Sequence, residues 1–330
     1  MTHRILIALM LLVGVCACNI KDEGESFREL DRLRVLALRA EPPDLLPGEQ
    51  STLSALVFEP EDRALSYVWS WCPARHGKRE GFTCAIEEEA LREIWETLDT
   101  DEALPPYDLG TEPEVLFHHV FTPEVLFGVC QALTADEEEN EFAILSCFWG
   151  LQVSVELRVS TDNDEVVAIK TLELLEDEKA PPQRNKNPEL SSEIEVTLPR
   201  NGKDRKQDHT LEDGEALEEG LRYELQVQVA DDQAEKFTPQ ELKGVDVPDE
   251  RKETLYMSWF ATTLDGGFRS TAFVDDQEGK GDIDLEGLTT NDWGLPPFVA
   301  SSEARLIVVL RDERGGVGWM EYSFPVEKGD

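Results

Sequence analysis

The chain has 330 residues, with 70 acidic and 31 basic side chains and a formal net charge of −39. An acidic surface of this kind repels nucleic acid and anionic lipid headgroups, so we expect no nucleic-acid partner. Because 40% of the residues are hydrophobic and seven are tryptophan, the chain can bury packed cores and does not have the composition of a disordered protein.

The first residues are typical of a bacterial export signal. Arg4 provides a positive charge, and residues 5–15 form an apolar run. A transmembrane helix needs about 20 apolar residues, so this run is too short to span a bilayer. We therefore expect residues 1–17 to be a signal peptide that is removed on export.

Cys18 lies where a bacterial lipoprotein carries its lipid. Ala17 supplies the small residue before the cleavage point, and Val15 supplies the aliphatic residue two positions earlier. The sequence therefore predicts a diacylglycerol on Cys18, a tether over residues 18–30, and a cell-envelope location at the outer membrane. The membrane is then a partner through the lipid anchor. The alternative is an ordinary secretory signal whose cysteines are incidental.

The first half of the mature chain carries a series of strand patterns. The glycine-led segment PGEQSTLSALVF is followed by LSYVWSWCP, in which tryptophan lies in an alternating pattern. Farther on, apolar and polar side chains alternate strictly along residues 151–160, and the turn-forming TDND and the β-rich EVVAIKTLELL follow. This last stretch predicts an antiparallel hairpin.

An insert over residues 72–140 separates the tryptophan strand from this hairpin. Within it, IEEEALREIWETL predicts an amphipathic helix, and TPEVLFGVCQAL predicts a second, shorter helix. The apolar face of the first helix is formed by Ile86, Ala90, Leu91, Ile94, Trp95 and Leu98.

Four further cysteines lie in the first half of the chain, namely Cys72, Cys84, Cys130 and Cys147. An exported chain meets an oxidising compartment, in which these thiols would form disulfides. Four cysteines allow three pairings, and proximity in the sequence favours Cys72 with Cys84 and Cys130 with Cys147. A zinc site is the alternative, but the cysteines lack CxxC spacing and a neighbouring histidine ligand.

The second half of the chain repeats the order of the first. A glycine-led strand, EEGLRYELQVQV, precedes the tryptophan strand TLYMSWFAT, and ARLIVVL, RDERGG and VGWMEYSFPV form a closing hairpin. The order predicts a mainly β chain of two tandem immunoglobulin-like antiparallel β-sandwiches, over residues 31–175 and 191–330, joined by a polar linker at 176–190. We expect Trp69 and Trp259 to lie in the two cores.

Three segments, RVLALRAEPPDLLPGE, WSWCP and VVLRDERGGVGW, together resemble parts of the tandem Ig-like surface lipoproteins that abound in myxobacterial genomes. The resemblance covers most of the mature chain. It implies an envelope location and implies that the first-domain insert with its cysteines is a usual decoration. It implies no activity and no catalytic residues, because that family has no established activity to carry over.

The residue types argue against an enzyme. A serine hydrolase would need a G-x-S-x-G elbow, which the sequence lacks, and the cysteines are expected to be lipidated or paired. His118 and His119 lie in a predicted strand, where neighbouring side chains point to opposite faces and cannot hold one ion together. The sequence therefore predicts a non-enzymatic envelope lipoprotein without a cofactor, whose Ig-like domains bind a protein or glycan partner. Loops on a rigid scaffold are the expected site, the insert at 72–140 first among them.

One acidic segment, VDDQEGKGDIDLEG, offers the oxygen ligands that calcium takes. Its spacing is not that of an EF-hand, and Lys280 lies within it, so a solvated acidic loop is the simpler interpretation. A calcium-dependent adhesion or matrix module is the alternative function. The candidate calcium ligands are Asp275, Asp276, Asp282, Asp284 and Glu286.

Overall fold

The computed structural model of the protein is mainly β, with one α-helix of nine residues, α1 at Glu88–Glu96, among the residues it describes. Within those residues, no helix is long and apolar enough to cross a membrane. The residues described are 28–76, 82–97, 100–122, 125, 151–175, 184–198, 209–212, 214–237, 251–265, 268 and 289–328.

Among its described residues, the first sandwich has eight strands in two sheets. One sheet has the order β1-β3-β6, and the other has the order β2-β8-β7-β4-β5. All pairs are antiparallel except β2 with β8, which run parallel. The first strand segment therefore begins on one sheet and continues as β2 on the other, as in immunoglobulin-type sandwiches. The strands are β1 Arg34–Glu41, β2 Asp44–Leu45, β3 Gln50–Phe58, β4 Ser66–Cys72, β5 Asp108–Gly110, β6 Val115–His118, β7 Leu151–Ser160 and β8 Glu165–Leu174.

The second sandwich repeats this plan. Its sheets have the orders β10-β9-β12-β16 and β11-β18-β17-β15, and β11 runs parallel to β18 as β2 does to β8. The prediction of immunoglobulin-like antiparallel sandwiches is confirmed. The strands are β9 Ile194–Leu198, β10 His209–Thr210, β11 Leu217–Glu218, β12 Arg222–Val227, β13 Lys236–Phe237, β14 Arg251–Lys252, β15 Leu255–Ala261, β16 Thr290–Gly294, β17 Glu303–Asp312 and β18 Val317–Glu327.

Each sandwich has its own core, and tryptophans fill both. Trp69 is 1% exposed opposite Leu157, and Trp259 is 2% exposed opposite Val308, which confirms their predicted burial. A buried indole N–H needs an acceptor, and Trp69 donates its own to the carbonyl of Glu112 at 3.0 Å. This hydrogen bond ties Trp69 on β4 to the segment between β5 and β6.

The helix α1 covers one end of the first core. Leu91 and Trp95 are buried, as the amphipathic pattern predicts, whereas Ala90 is exposed. The indole of Trp95 donates to the carbonyl of Glu102 at 2.9 Å. The second predicted helix lies, apart from Thr122 and Val125, outside the described residues.

A third hydrophobic cluster lies between the two sandwiches. Its members come from the outer face of β1 and β3 in the first sandwich and from the outer face of β15, β17 and β18 in the second. Every side chain in it would face solvent in an isolated domain, so the two sandwiches pack face to face. The cluster consists of Leu30, Leu36, Ala37, Leu56, Phe58, Phe260, Ile307, Val309 and Val317.

Polar contacts border this cluster. The guanidinium of Arg311 donates to the carbonyl of Leu36 at 2.6 Å. The side chain of Asn187 donates to the carbonyl of Ala40 at 2.7 Å and accepts from the backbone N–H of Val317 at 2.8 Å. These three hydrogen bonds satisfy backbone groups at the junction, which stabilises it.

Residues 28–30, at the end of the predicted tether, continue this junction. The N–H of Leu30 donates to the carbonyl of Ala261 at 2.8 Å, and the N–H of Ala261 donates to the carbonyl of Arg28 at 3.1 Å. Leu30 therefore lies at the end of β15, and Ala40 lies near Val317 at the start of β18. Because β18 ends at the same end of its sheet as β15, β1 and β18 run in opposite directions. The second sandwich is thus folded back alongside the first and points in the opposite direction.

The described part of the predicted linker, residues 184–190, packs against both sandwiches. The guanidinium of Arg184 donates to Asp44 at 2.7 Å and to Glu49 at 3.0 Å. Asn185 and Asn187 are buried, with 4% and 8% exposed. The domain limits drawn from the sequence stay a prediction, since packing alone does not define where one folding unit ends.

Candidate binding surface

A disulfide closes the start of the insert. Cys72 at the end of β4 is bonded to Cys84, with the Cα atoms 5.8 Å apart, which confirms this predicted pair. The backbone of Arg75 pairs with that of Cys84 inside the loop. Closing a loop of this size stabilises the folded chain by about 3 kcal/mol in the loop-entropy model. The loop is thereby held beside the outer face of the five-stranded sheet.

The outer face of β4, β7 and β8 carries apolar side chains that nothing in the described part of the chain covers. Val68, Val167 and Ile169 are exposed by 44%, 48% and 40%. Arg158 on β7 lies in register between Val68 on β4 and Val167 on β8, so these side chains share one face. Together with Glu156 on β7, they form what we call the open face.

Ion pairs fix the charged groups of the open face. Arg158 lies 2.7 Å from Glu165, and Arg75 of the disulfide loop lies 2.8 Å from Glu156. The Arg75 and Glu156 side chains are only 10% and 19% exposed, so this pair is held more rigidly than a surface pair. In these two pairs, two arginines balance two glutamates, whereas Glu173 farther along β8 adds a negative charge at the edge of the face.

The corresponding face of the second sandwich is covered. There, β15, β17 and β18 turn Phe260, Ile307 and Val309 towards the first sandwich, where they are 5%, 1% and 0% exposed. The strands that form this face follow the same order in both sandwiches, but among the described residues the face is covered in the second sandwich and uncovered in the first. An exposed apolar area bordered by fixed charges can bind a partner without a change in the fold.

Most of the predicted site residues lie outside the described residues. The structure says nothing of the lipidation of Cys18 or of the Cys130–Cys147 pair, and both stay predictions. The same holds for the candidate calcium ligands, all of which fall within residues 269–288. In the ranges that are described, no group of three or more histidine, cysteine, aspartate or glutamate side chains could hold a metal ion.

The histidine pair serves the core. His118 is partly exposed, whereas His119 is 0% exposed. Nδ1 of His119 accepts the N–H of Phe121 at 3.2 Å, and Nε2 lies 3.4 Å from the carbonyl of Leu175. Burial lowers the pKa of His119 to about 4, so the ring is neutral at pH 7. It connects the end of β8 to the segment after β6 and faces no substrate site.

One buried group of charges has no counterpart in the sequence predictions. Arg314, in the turn of the closing hairpin, lies 2.8 Å from Glu253 and 2.7 Å from Glu235. Burial raises the pKa of Glu253 to about 7. Because both carboxylates are bound by Arg314 and Glu253 also accepts the N–H of Glu235, the group locks two loops together. Only tertiary structure brings these residues together, so no local pattern could have indicated them.

Neither a protein-family model nor a curated protein sequence matches the chain. Solved structures that align with it include murine CEACAM1b, 7% identical over 89% of this chain and 99% of that chain, with a TM-score of 0.21. SGBP-B of a Bacteroides ovatus mixed-linkage glucan utilization locus, solved in complex with a mixed-linkage heptasaccharide, is 9% identical over 91% of this chain and 48% of that chain, with a TM-score of 0.19. The Ig1-2 module of the Drosophila receptor tyrosine phosphatase DLAR is 7% identical over 91% and 100%, with a TM-score of 0.21. At these scores, none of the three transfers a function to this chain.

Proposed function

We propose that the protein is a non-enzymatic lipoprotein of the cell envelope, anchored through Cys18 at the outer membrane. Its Ig-like sandwiches bind a protein or glycan partner, and the open face of the first sandwich is the binding surface. The proposal takes the anchor from the sequence of the export signal and the binding surface from the structure. It is in keeping with the resemblance to tandem Ig-like surface lipoproteins.

The observation that carries the binding proposal is the contrast between the two sandwiches. One outer face is covered by the chain itself, and the same face of the other sandwich exposes Val68, Val167 and Ile169. Burying a fully exposed apolar side chain of this size gains about 1.5–3 kcal/mol, and a partner that covers these half-exposed side chains can gain part of that free energy. Arg75 and Arg158 offset the charges of Glu156 and Glu165, so a partner is repelled less there than over the rest of the acidic surface.

Val167→Lys tests this assignment. The new ammonium would lie on the open face beside Arg158 and would have to lose its hydration on binding, so we expect loss of partner capture. The measurement is crosslinking of the purified, anchored protein in solubilised envelope, followed by identification and quantitation of the crosslinked species.

Leu116→Lys is the matched control. Leu116 is 57% exposed on β6, in the other sheet of the same sandwich, and its replacement adds the same charge at a similar exposure. We expect this variant to capture the same species as the wild-type chain. Equal capture by both variants would move the binding site away from the open face, and turnover of a defined substrate by the purified chain would refute the non-enzymatic assignment.

A further inference from the structure

One end of the second sandwich is where the chain enters the fold. β15 ends at Ala261, β17 begins at Glu303 and β18 ends at Glu327, so these three positions lie at the same end of the sheet. Arg28 and Leu30 pair with Ala261 there. The segment that leads back to Cys18 therefore leaves the described structure at this end.

The loop between β16 and β17, residues 295–302, lies at this same end. Its sequence, LPPFVASS, contains no charged residue. Phe298 is 89% exposed, far more than Val68, Val167 or Ile169 on the open face. Pro297 and Ala300 are exposed beside Phe298, so the tip of this uncharged loop presents a small contiguous apolar patch that is available for contact.

Hydrogen bonds hold this loop on both sides of Phe298. The carbonyl of Pro296 accepts the N–H of Gly220 at 3.1 Å, and the N–H of Val299 donates to the carboxylate of Glu219 at 2.9 Å. Farther along, the carbonyl of Ser302 accepts the N–H of Val326 at 2.9 Å. The ring is thus presented by a fixed loop and needs no rearrangement to reach a surface.

The length of chain before Arg28 limits how far this end can lie from a lipid on Cys18. Arg28 lies ten positions after Cys18, and ten extended residues span at most about 35 Å. A lipid on Cys18 would therefore hold this end of the second sandwich within about 35 Å of the bilayer. Aromatic side chains partition into the interfacial zone of a bilayer, and a second contact strengthens a lipid anchor.

The charges next to the loop determine which lipid headgroups it can approach. Glu219 and Glu303 border the loop, and the chain as a whole carries a net charge of −39. Anionic headgroups would be repelled, whereas zwitterionic headgroups would not. We propose that loop 295–302, with Phe298 at its tip, is a second membrane contact that inserts into a zwitterionic phospholipid interface. The inference rests on the proposed anchor at Cys18.

The test uses the full lipidated chain with Phe298→Cys carrying an NBD fluorophore. The protein is reconstituted into phosphatidylcholine vesicles that contain nitroxide-labelled phosphatidylcholine. Because the nitroxide quenches only probes that enter the lipid interface, we expect about a twofold or greater loss of emission at position 298. The wild-type chain carried through the same labelling gives the background from its own cysteines.

Asp232→Cys is the matched control. Asp232 is exposed and lies beyond the end of β12, at the opposite end of the second sandwich, so a probe there should keep its emission.

Quenching of the probe at position 298 but not of the probe at position 232 supports the inference. Unquenched emission at 298 in a chain whose fatty acid is confirmed by mass spectrometry overturns it and leaves the anchor standing. A chain without fatty acid refutes the anchor and this inference together. If the emission of the probe at position 298 changes on addition of soluble envelope protein but not on addition of vesicles, the loop contacts a protein and the proposed membrane contact is wrong.

Discussion

Replacing Ile307 by alanine tests whether the two sandwiches form one packed unit. Ile307 lies on β17 with its side chain on the outer face of the second sandwich, where an isolated domain would leave it in water. It is 1% exposed because the first sandwich covers it. Truncation of a buried isoleucine to alanine costs about 2–5 kcal/mol, whereas the same change at a surface position costs within about 0.5 kcal/mol. We expect a loss of at least about 2 kcal/mol in the free energy of unfolding.

Glu321→Ala is the control for this prediction. Glu321 is the cross-strand neighbour of Ile307 on β18, shares its sheet face and is exposed. Its replacement should leave the stability within about 0.5 kcal/mol of wild type. Urea unfolding of the mature chain, followed by circular dichroism and by tryptophan fluorescence, measures both variants. An Ile307→Ala chain as stable as the Glu321→Ala chain would show that the outer face of β17 is exposed in solution and that the cluster between the sandwiches does not form.

Four further predictions concern the anchor, two buried ionisable groups and the acidic segment. The native protein should incorporate labelled fatty acid and Cys18→Ser should abolish the label; a labelled Cys18→Ser chain would refute the anchor. Burial lowers the pKa of His119 to about 4, so the unfolded chain is protonated first and stability should fall by up to about 3 kcal/mol as the pH drops from 6.5 to 4. His119→Gln should remove that part of the pH dependence, and an unchanged difference between pH 7 and pH 4 would contradict it. Burial lowers the pKa of Lys170 to about 8, although its ammonium donates to the carbonyl of Gly315. The free-energy cost of burying the charged ammonium is fully present at pH 7. The free energy of unfolding of Lys170→Met, measured in urea, should therefore be at most about 1 kcal/mol below that of wild type, or above it. If residues 275–286 bind calcium, millimolar calcium should raise the melting temperature, and an unchanged Tm would remove the calcium-dependent alternative.

The sequence predicted the parts of the fold that local patterns encode. Alternation along 151–160 and the tryptophan strands around Trp69 and Trp259 are consequences of one buried face per strand, and the structure has strands there. The Cys72–Cys84 pair followed from proximity. By contrast, the run at 306–310, LIVVL, is apolar at consecutive positions, which indicates a strand buried on both faces. The layer that covers its second face is β1 and β3, in the other half of the chain, and no local signal indicates it.

The candidate site was predictable only in its location on the first sandwich. The insert was expected to bind, and its disulfide loop does border the open face through Arg75. The face itself depends on which sheet remains uncovered after the two sandwiches pack, and this is a property of tertiary structure. Val68 and Val167 look like ordinary outward positions of a strand in the sequence. Their exposure in the folded chain distinguishes them from Phe260 and Ile307, which the other sandwich covers.

The difference between the two outer faces bears on what kind of partner the protein can hold. The covered face has apolar residues at adjoining positions of three strands and is sealed by part of the same chain, as in a permanent interface. On the open face, the charged side chains of Arg158 and Glu156 lie next to the apolar side chains of Val68, Val167 and Ile169. Surfaces that mix charged and apolar side chains in this way are typical of interfaces that form and dissociate. Because the sandwiches pack together and residues 28–30 bind the second one, the open face has a fixed orientation relative to the end that leads to Cys18. With the proposed anchor at Cys18 and the proposed membrane contact at Phe298, a partner on the open face would be held at a defined angle to the membrane. Loss of the cluster around Ile307 should loosen the orientation of the open face relative to the second sandwich before it unfolds either sandwich.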